Sequence, residues 1–128
     1  MSSAFYIYPE ADAPFDADGL RSRFLRAPHV RPDPTDSLGI LIGRDASEAE
    51  IAAEALEQDP DTPQWVVFIR FAPEEIVVYR DALRPTLDAA RPLIDTILAA
   101  GFDRIEDDES RPIELPGGVE PAEILLYS

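Results

Sequence analysis

The chain has 128 residues, and its 26 acidic and 11 basic side chains give a formal net charge of −15 at pH 7. A charge of this size and sign repels phosphate groups and anionic lipid surfaces, and it attracts cationic proteins. We therefore expect no nucleic-acid partner and no membrane partner. The absence of cysteine excludes disulfides, thiolate metal ligands and cysteine nucleophiles.

The length favours a single globular domain over residues 1–128. A hydrophobic content of 45% is enough to build a core and argues against disorder. The N-terminal segment lacks the basic region and the apolar run of a secretory signal. No apolar stretch approaches the roughly 20 residues that cross a bilayer. We therefore expect a cytoplasmic protein.

All 11 basic residues are arginine, and the chain contains no lysine and no asparagine. Lysine and asparagine use AT-rich codons, so the composition indicates a GC-rich genome, bacterial or of a halophilic archaeon. In a halophile the acidity would be an adaptation to salt. The acidity therefore has two open explanations, a binding surface or a salty cytoplasm.

The first elements are indicated by their end signals. Residues Ala4–Tyr8 are aromatic and β-branched and predict a strand that Pro9 ends. Asp16 or Asp18 can cap a following helix that runs to about Ala27.

A proline-rich segment separates this helix from the next strand. Residues 28–36 hold three prolines and predict a stiff connection, and residues 38–42 read as a buried strand. Overlapping capping boxes at Asp45 and Ser47 predict a helix that runs to about Gln58. Its expected apolar stripe consists of Ile51, Ala52, Ala55 and Leu56.

The strongest hairpin signal lies in the middle of the chain. Residues 65–71 and 76–80 are β-prone and flank a short turn at residues 72–75. The five apolar residues that begin at Trp65 predict a central strand covered on both faces.

A last helix is predicted from Leu83 or Pro85 to Gly101. Pro92 falls inside it, so we expect a kink or two short helices.

The tail predicts a weak strand at residues 104–105 and a closing hairpin of residues 113–115 and 122–127. The whole pattern is that of an α+β fold, with a mixed, mainly antiparallel sheet of about five to six strands and three helices. The expected element order is roughly βαβαββαβββ.

No catalytic, cofactor or metal site is indicated by a motif. His29 is the sole histidine, no serine lies in a Gly-x-Ser-x-Gly elbow, and His29 is expected to be a loop residue. Residues 103–109 hold five acids without the spacing or the glycine of an EF-hand, which favours a solvated loop over a metal site.

Two further groups are open to a structural or a binding interpretation. The arginines near His29 could bind an anion, but ion pairs with the protein's own carboxylates are favoured. These arginines are Arg21, Arg23, Arg26 and Arg31.

Strand alternation places Tyr6 and Tyr8 on the face of the sheet opposite Phe5 and Ile7. Cover by a second helix is favoured there over an exposed protein-binding face.

The function favoured by these observations is a non-catalytic acidic protein that binds and inhibits or regulates a basic protein. Immunity proteins and nuclease inhibitors share this logic, as an analogy of charge and size alone. The alternatives are a small enzyme or ligand-binding domain with carboxylates in a sheet–helix pocket, and an oligomerising subunit such as a homodimer. The candidate partner-binding residues are Asp103, Glu106, Asp107, Asp108, Glu109, Glu50, Glu54 and Glu57.

Overall fold

An open six-stranded sheet carries four helices in the computed structural model, which describes residues 3–127. The elements are β1 (Ala4–Tyr8), α1 (Ala17–Phe24), β2 (Val30–Pro32), β3 (Gly39–Ile42), α2 (Ala46–Gln58), β4 (Val67–Phe71), β5 (Ile76–Tyr79), α3 (Arg84–Ala99), β6 (Arg104–Asp107) and α4 (Pro121–Tyr127). The strand order is β2-β3-β4-β5-β1-β6, and every neighbouring pair is antiparallel. The predicted α+β class is confirmed, but the sheet is antiparallel throughout rather than mixed, and the helix count of three is wrong.

Two of the local predictions hold closely. The central hairpin joins β4 to β5, with Phe71 opposite Ile76. Asp45 is the N-cap of α2, and its carboxylate accepts a hydrogen bond from the backbone N–H of Glu48 at 2.8 Å. The first of the two predicted capping boxes therefore starts this helix, because it satisfies an otherwise unpaired amide.

The proline-rich segment was predicted to be only a connection, and this is wrong. Its residues Val30–Pro32 form β2, which pairs with β3. Pro32 is tolerated because β2 lies at an edge of the sheet, where one backbone N–H can be missing.

The predicted closing hairpin is also wrong. Residues Pro121–Tyr127 form α4, and Ala122, Leu125 and Leu126 are buried. Their spacing at i, i+3 and i+4 is helical, and proline is favoured in the first turn of a helix. The apolar residues near the C-terminus therefore follow the helical period rather than the strand period.

Of the two outcomes expected at Pro92, a kink or two short helices, the second is wrong, because α3 continues through this residue as one helix. The helix buries Leu87 and Ala90 before Pro92 and Ile94 and Ile97 after it, all in one core. Packing of this continuous stripe offsets the hydrogen bond that proline removes.

The two faces of the sheet are covered differently. Phe5 and Ile69 lie on the face that packs against α1, α3 and α4. Leu41 lies on the opposite face and packs against α2. Because α2 packs on β2 and β3, it lies at the other end of the sheet from Tyr6 and Tyr8, which are half-buried. None of the helices within residues 3–127 combines the length and the apolarity that crossing a membrane requires.

Candidate functional site

The eight predicted partner-binding acids form two separate groups. The tail group lies just before β6, on β6 and in the turn that follows it, and consists of Asp103, Glu106, Asp107, Asp108 and Glu109. The α2 stripe consists of Glu50, Glu54 and Glu57. Because β6 is one edge of the sheet and α2 packs near the other edge, the fold does not bring the two groups together.

Arginine side chains neutralise much of the tail group. Arg104 Nε lies 2.8 Å from Glu106, and its Nη1 lies 3.2 Å from Asp103. The same guanidinium lies over the ring of Tyr8, 4.2 Å from its centroid. Burial and the charge of Glu106 raise the pKa of Tyr8. This end of the sheet is thus an internal network of paired charges.

Asp107 is used to shape the turn after β6. Its carboxylate accepts hydrogen bonds from the backbone N–H groups of Arg111 and Glu109, both at 2.9 Å. These two hydrogen bonds and the nearby Arg111 guanidinium lower the pKa of Asp107. Ser110 adopts a φ of 62° in the same turn. Glu109 also forms an ion pair with Arg111.

The α2 stripe is different because its charges form no ion pair with the part of the chain that the structure describes. The three glutamates are exposed and follow a spacing of four and three residues, which places them on one side of the helix. None of them takes part in an ion pair within the described residues. Like charges at i, i+4 destabilise a helix slightly, so the stripe opposes helix stability rather than supporting it.

The first turn of α2 is held in place by Glu48. Its carboxylate accepts a hydrogen bond from the backbone N–H of Arg44 at 3.0 Å and another from the hydroxyl of Thr86 at 2.5 Å. Gly43 permits the tight turn into the helix, since a Cβ there would lie 2.5 Å from the backbone nitrogen of Ala49. The orientation of α2 against the rest of the molecule is therefore well defined.

Two large apolar side chains beside this turn are exposed, contrary to prediction. Trp65 is 69% exposed and Ile51 is 63% exposed. They line one surface groove of about 320 Å³, whose floor includes Ala52 and Val66. We call this feature the Trp65 groove. It was not found from the sequence, in which both residues were assigned to the core.

The burial of neighbouring residues explains this exposure. Val66 is buried against α2, whereas Trp65 precedes β4, outside the paired part of the sheet, and is exposed beside Val66. On α2 the residues that face the sheet are Ala49, Ala52 and Leu56. Ile51 therefore lies outside the buried stripe. A buried helical stripe of Ala49, Ala52 and Leu56 would have predicted from the sequence that Ile51 is exposed.

The predicted pairing of the arginines near His29 with carboxylates is not found within residues 3–127. Arg21 donates to the carbonyl oxygen of Gly39 at 3.2 Å. Arg31 donates to the carbonyl oxygens of Pro28 and Val30 at 2.7 and 3.0 Å. Both guanidiniums therefore bind backbone carbonyls, and neither forms an ion pair with a carboxylate of residues 3–127.

His29 and the interior of the molecule show structural roles. The Nε2–H group of His29 donates to the carbonyl oxygen of Ala89 at 3.3 Å, which ties the loop before β2 to α3. Thr86 is the only buried polar side chain among the described residues. Among residues 3–127, no three histidine or acidic side chains lie close enough together to hold a metal ion.

No protein-family model, no curated protein and no solved structure matches the chain. The two surface features that stand out are the α2 stripe and the Trp65 groove. Ile51 and Ala52 of α2 line the groove, and the three glutamates of the stripe lie on the same helix without lining it.

Proposed function

We propose that the protein is a non-catalytic acidic interaction protein that binds a basic protein and inhibits or regulates it. The observation that carries this proposal is the α2 stripe, three exposed glutamates without an ion pair among the described residues. Unpaired charges of one sign on a rigid helix produce a local potential that the net charge of −15 reinforces. Such a potential steers a cationic partner to that surface and accelerates its association.

The α2 stripe is a better candidate for the binding surface than the tail group. In the tail group Asp103, Glu106, Asp107 and Glu109 are held by Arg104 or Arg111. A partner would first have to break these ion pairs. We therefore assign the tail group a secondary role, in the long-range field of the molecule.

The alternative of a small enzyme or ligand-binding domain needs carboxylates that converge in a pocket. The interface between the sheet and α1, α3 and α4 is filled with apolar side chains in the described residues, so such a pocket would have to lie on the surface.

A homodimer is favoured by a different observation. Arg23 and Arg26 are exposed and form no ion pair within the described residues, so they could meet the α2 stripe of a second copy.

The proposal is tested by binding a short labelled peptide of alternating arginine and alanine, followed by fluorescence anisotropy. We expect binding to weaken as salt rises, because screening removes the attraction. Glu50→Gln, Glu54→Gln and Glu57→Gln together should weaken binding several-fold at low salt. This difference should shrink at high salt.

A matched variant controls for the total charge. Asp12→Asn, Asp95→Asn and Glu114→Gln remove the same three charges from exposed positions that form no ion pair in the described residues. We expect this variant to bind almost as well as the unmodified protein. Equal weakening by both variants would show that only net charge matters. No binding at low salt would refute the proposal.

A further inference from the structure

We propose that the Trp65 groove is the apolar centre of the docking surface, and that the basic partner inserts an apolar side chain, flanked by its cationic residues, against Trp65 and Ile51. This inference rests on the proposed function and adds the chemistry of the contact. The partner is thus a protein segment in which arginine or lysine residues surround a leucine, methionine or aromatic side chain.

The exposure of the two side chains is the first argument. Trp65 and Ile51 are more than half exposed, yet both border the same depression. Leaving large apolar surface in water is unfavourable, and a neighbouring pair of such side chains marks an interaction site more often than a single one does. Tryptophan is also among the residues that contribute most to protein–protein binding energy.

The shape of the groove supports a side chain as its occupant. Its volume of about 320 Å³ is at the lower end of the range of roughly 300–1,000 Å³ that ligand pockets span. Ala52 and Val66 on the floor are apolar and buried. An inserted aliphatic or aromatic group would therefore lose contact with water on several sides.

The charges around the groove decide the chemistry of the partner. Arg44, Asp45 and Glu48 all line the groove, and Arg44 is held against both carboxylates, which leaves an excess of one negative charge there. Beyond Ile51, the exposed side of α2 carries Glu50 and Glu54. An apolar centre with a charged rim is the usual organisation of a protein interface. Because Glu50 and Glu54 form no ion pair within residues 3–127, the charge that α2 offers to a partner is negative and the complementary surface is positive.

The groove is also preformed. The hydrogen bond from the Thr86 hydroxyl to Glu48 fixes the first turn of α2, and burial of Val66 fixes the chain beside Trp65. A binding surface that is already ordered loses little conformational entropy on association. A docked side chain would therefore bind between two segments that are already ordered, α2 and the chain around Trp65.

The experiment uses Trp65 as its own reporter, since it is the only tryptophan in the chain. Two tryptophan-free peptides are compared: the arginine–alanine peptide, and the same peptide with leucine in place of its central alanine. We expect the leucine peptide to shift the emission of Trp65 to the blue and to bind about tenfold more tightly. The alanine peptide should bind through charge with little shift.

Three variants locate the contact by anisotropy of the labelled peptides. Trp65→Ala and Ile51→Ala should each remove most of the preference for the leucine peptide. Both positions are exposed, so the fold is expected to tolerate these changes. Leu83→Ala is the matched control, because Leu83 is also 69% exposed but does not line the groove. It should leave the preference unchanged.

The outcomes separate this inference from the proposed function. Salt-dependent binding of both peptides with equal affinity, and no response to Trp65→Ala, would overturn the inference and leave the acidic interaction protein standing. No binding of either peptide would overturn both. A blue shift that grows with protein concentration, without peptide, would assign the groove to a second copy of the chain and overturn the inference.

Discussion

Asp107 and Glu50 carry the same charge, but Asp107 stabilises a turn of the fold and Glu50 is exposed to solvent. Asp107 accepts two backbone hydrogen bonds in its turn, whereas Glu50 is exposed and has no ion pair in the described residues. The sequence showed that both were acidic but not which of them the fold had already paired. That distinction depends on where Arg111 lies, and hence on a turn that is visible only in three dimensions.

The lowered pKa of Asp107 predicts a pH-dependent contribution to stability. A carboxylate whose pKa is lower in the folded state stabilises the protein above its unfolded pKa, and this contribution is lost as the pH falls through the folded pKa. Asp107→Asn should therefore lower Tm at pH 7. The gap to the unmodified protein should narrow as the pH falls below the usual carboxyl range. Thermal unfolding across a pH series measures this, and a constant gap at all pH values would contradict the assignment.

Local sequence signals predicted the role of a residue well where its side chain hydrogen-bonds the backbone of its neighbours in the chain. Asp45 is such a case, because its carboxylate caps the third residue of α2. Trp65 and Ile51 are the opposite case, because they are exposed where their neighbours Val66 and Ala52 are buried, and this depends on tertiary packing. Positions where a consistent sequence pattern fails are often functional, and here the two failures lie in one groove.

At the scale of elements, the strands of the central sheet were the most predictable. The β4–β5 hairpin and β1 had both composition and turn signals. β2 was missed because three prolines obscured a short edge strand, and α4 was missed because a segment of seven residues is too short for its helical period to stand out. Short elements gain their stability from tertiary packing, which local sequence does not reveal.

The packing of α4 is itself testable. Leu125 is 1% exposed and belongs to the main core. Leu125→Ala should reduce the free energy of unfolding by about 2–5 kcal/mol, because it removes buried methyl groups and leaves a cavity. Chemical denaturation provides the value. A change below about 0.5 kcal/mol, which is typical of a surface substitution, would show that α4 is not part of the core.

At the scale of the whole molecule, the charge of −15 is not equally available over the surface. Arginines hold much of the tail group at one edge of the sheet, while the α2 stripe near the other edge forms no ion pair among residues 3–127. A salt-adapted surface would need acidity but no preferred site for a cation. A binding protein needs the free charge to lie near the contact, and the α2 stripe and the Trp65 groove share one helix.

The most direct measurement is therefore to map where a basic peptide binds. We expect amide chemical shifts to change along α2 and at the indole N–H of Trp65 when the leucine-containing arginine peptide is added to isotope-labelled protein. Residues 103–111 should change little. Changes centred on residues 103–111, or scattered evenly over the acidic surface, would contradict the assignment of α2 and the Trp65 groove as the binding face.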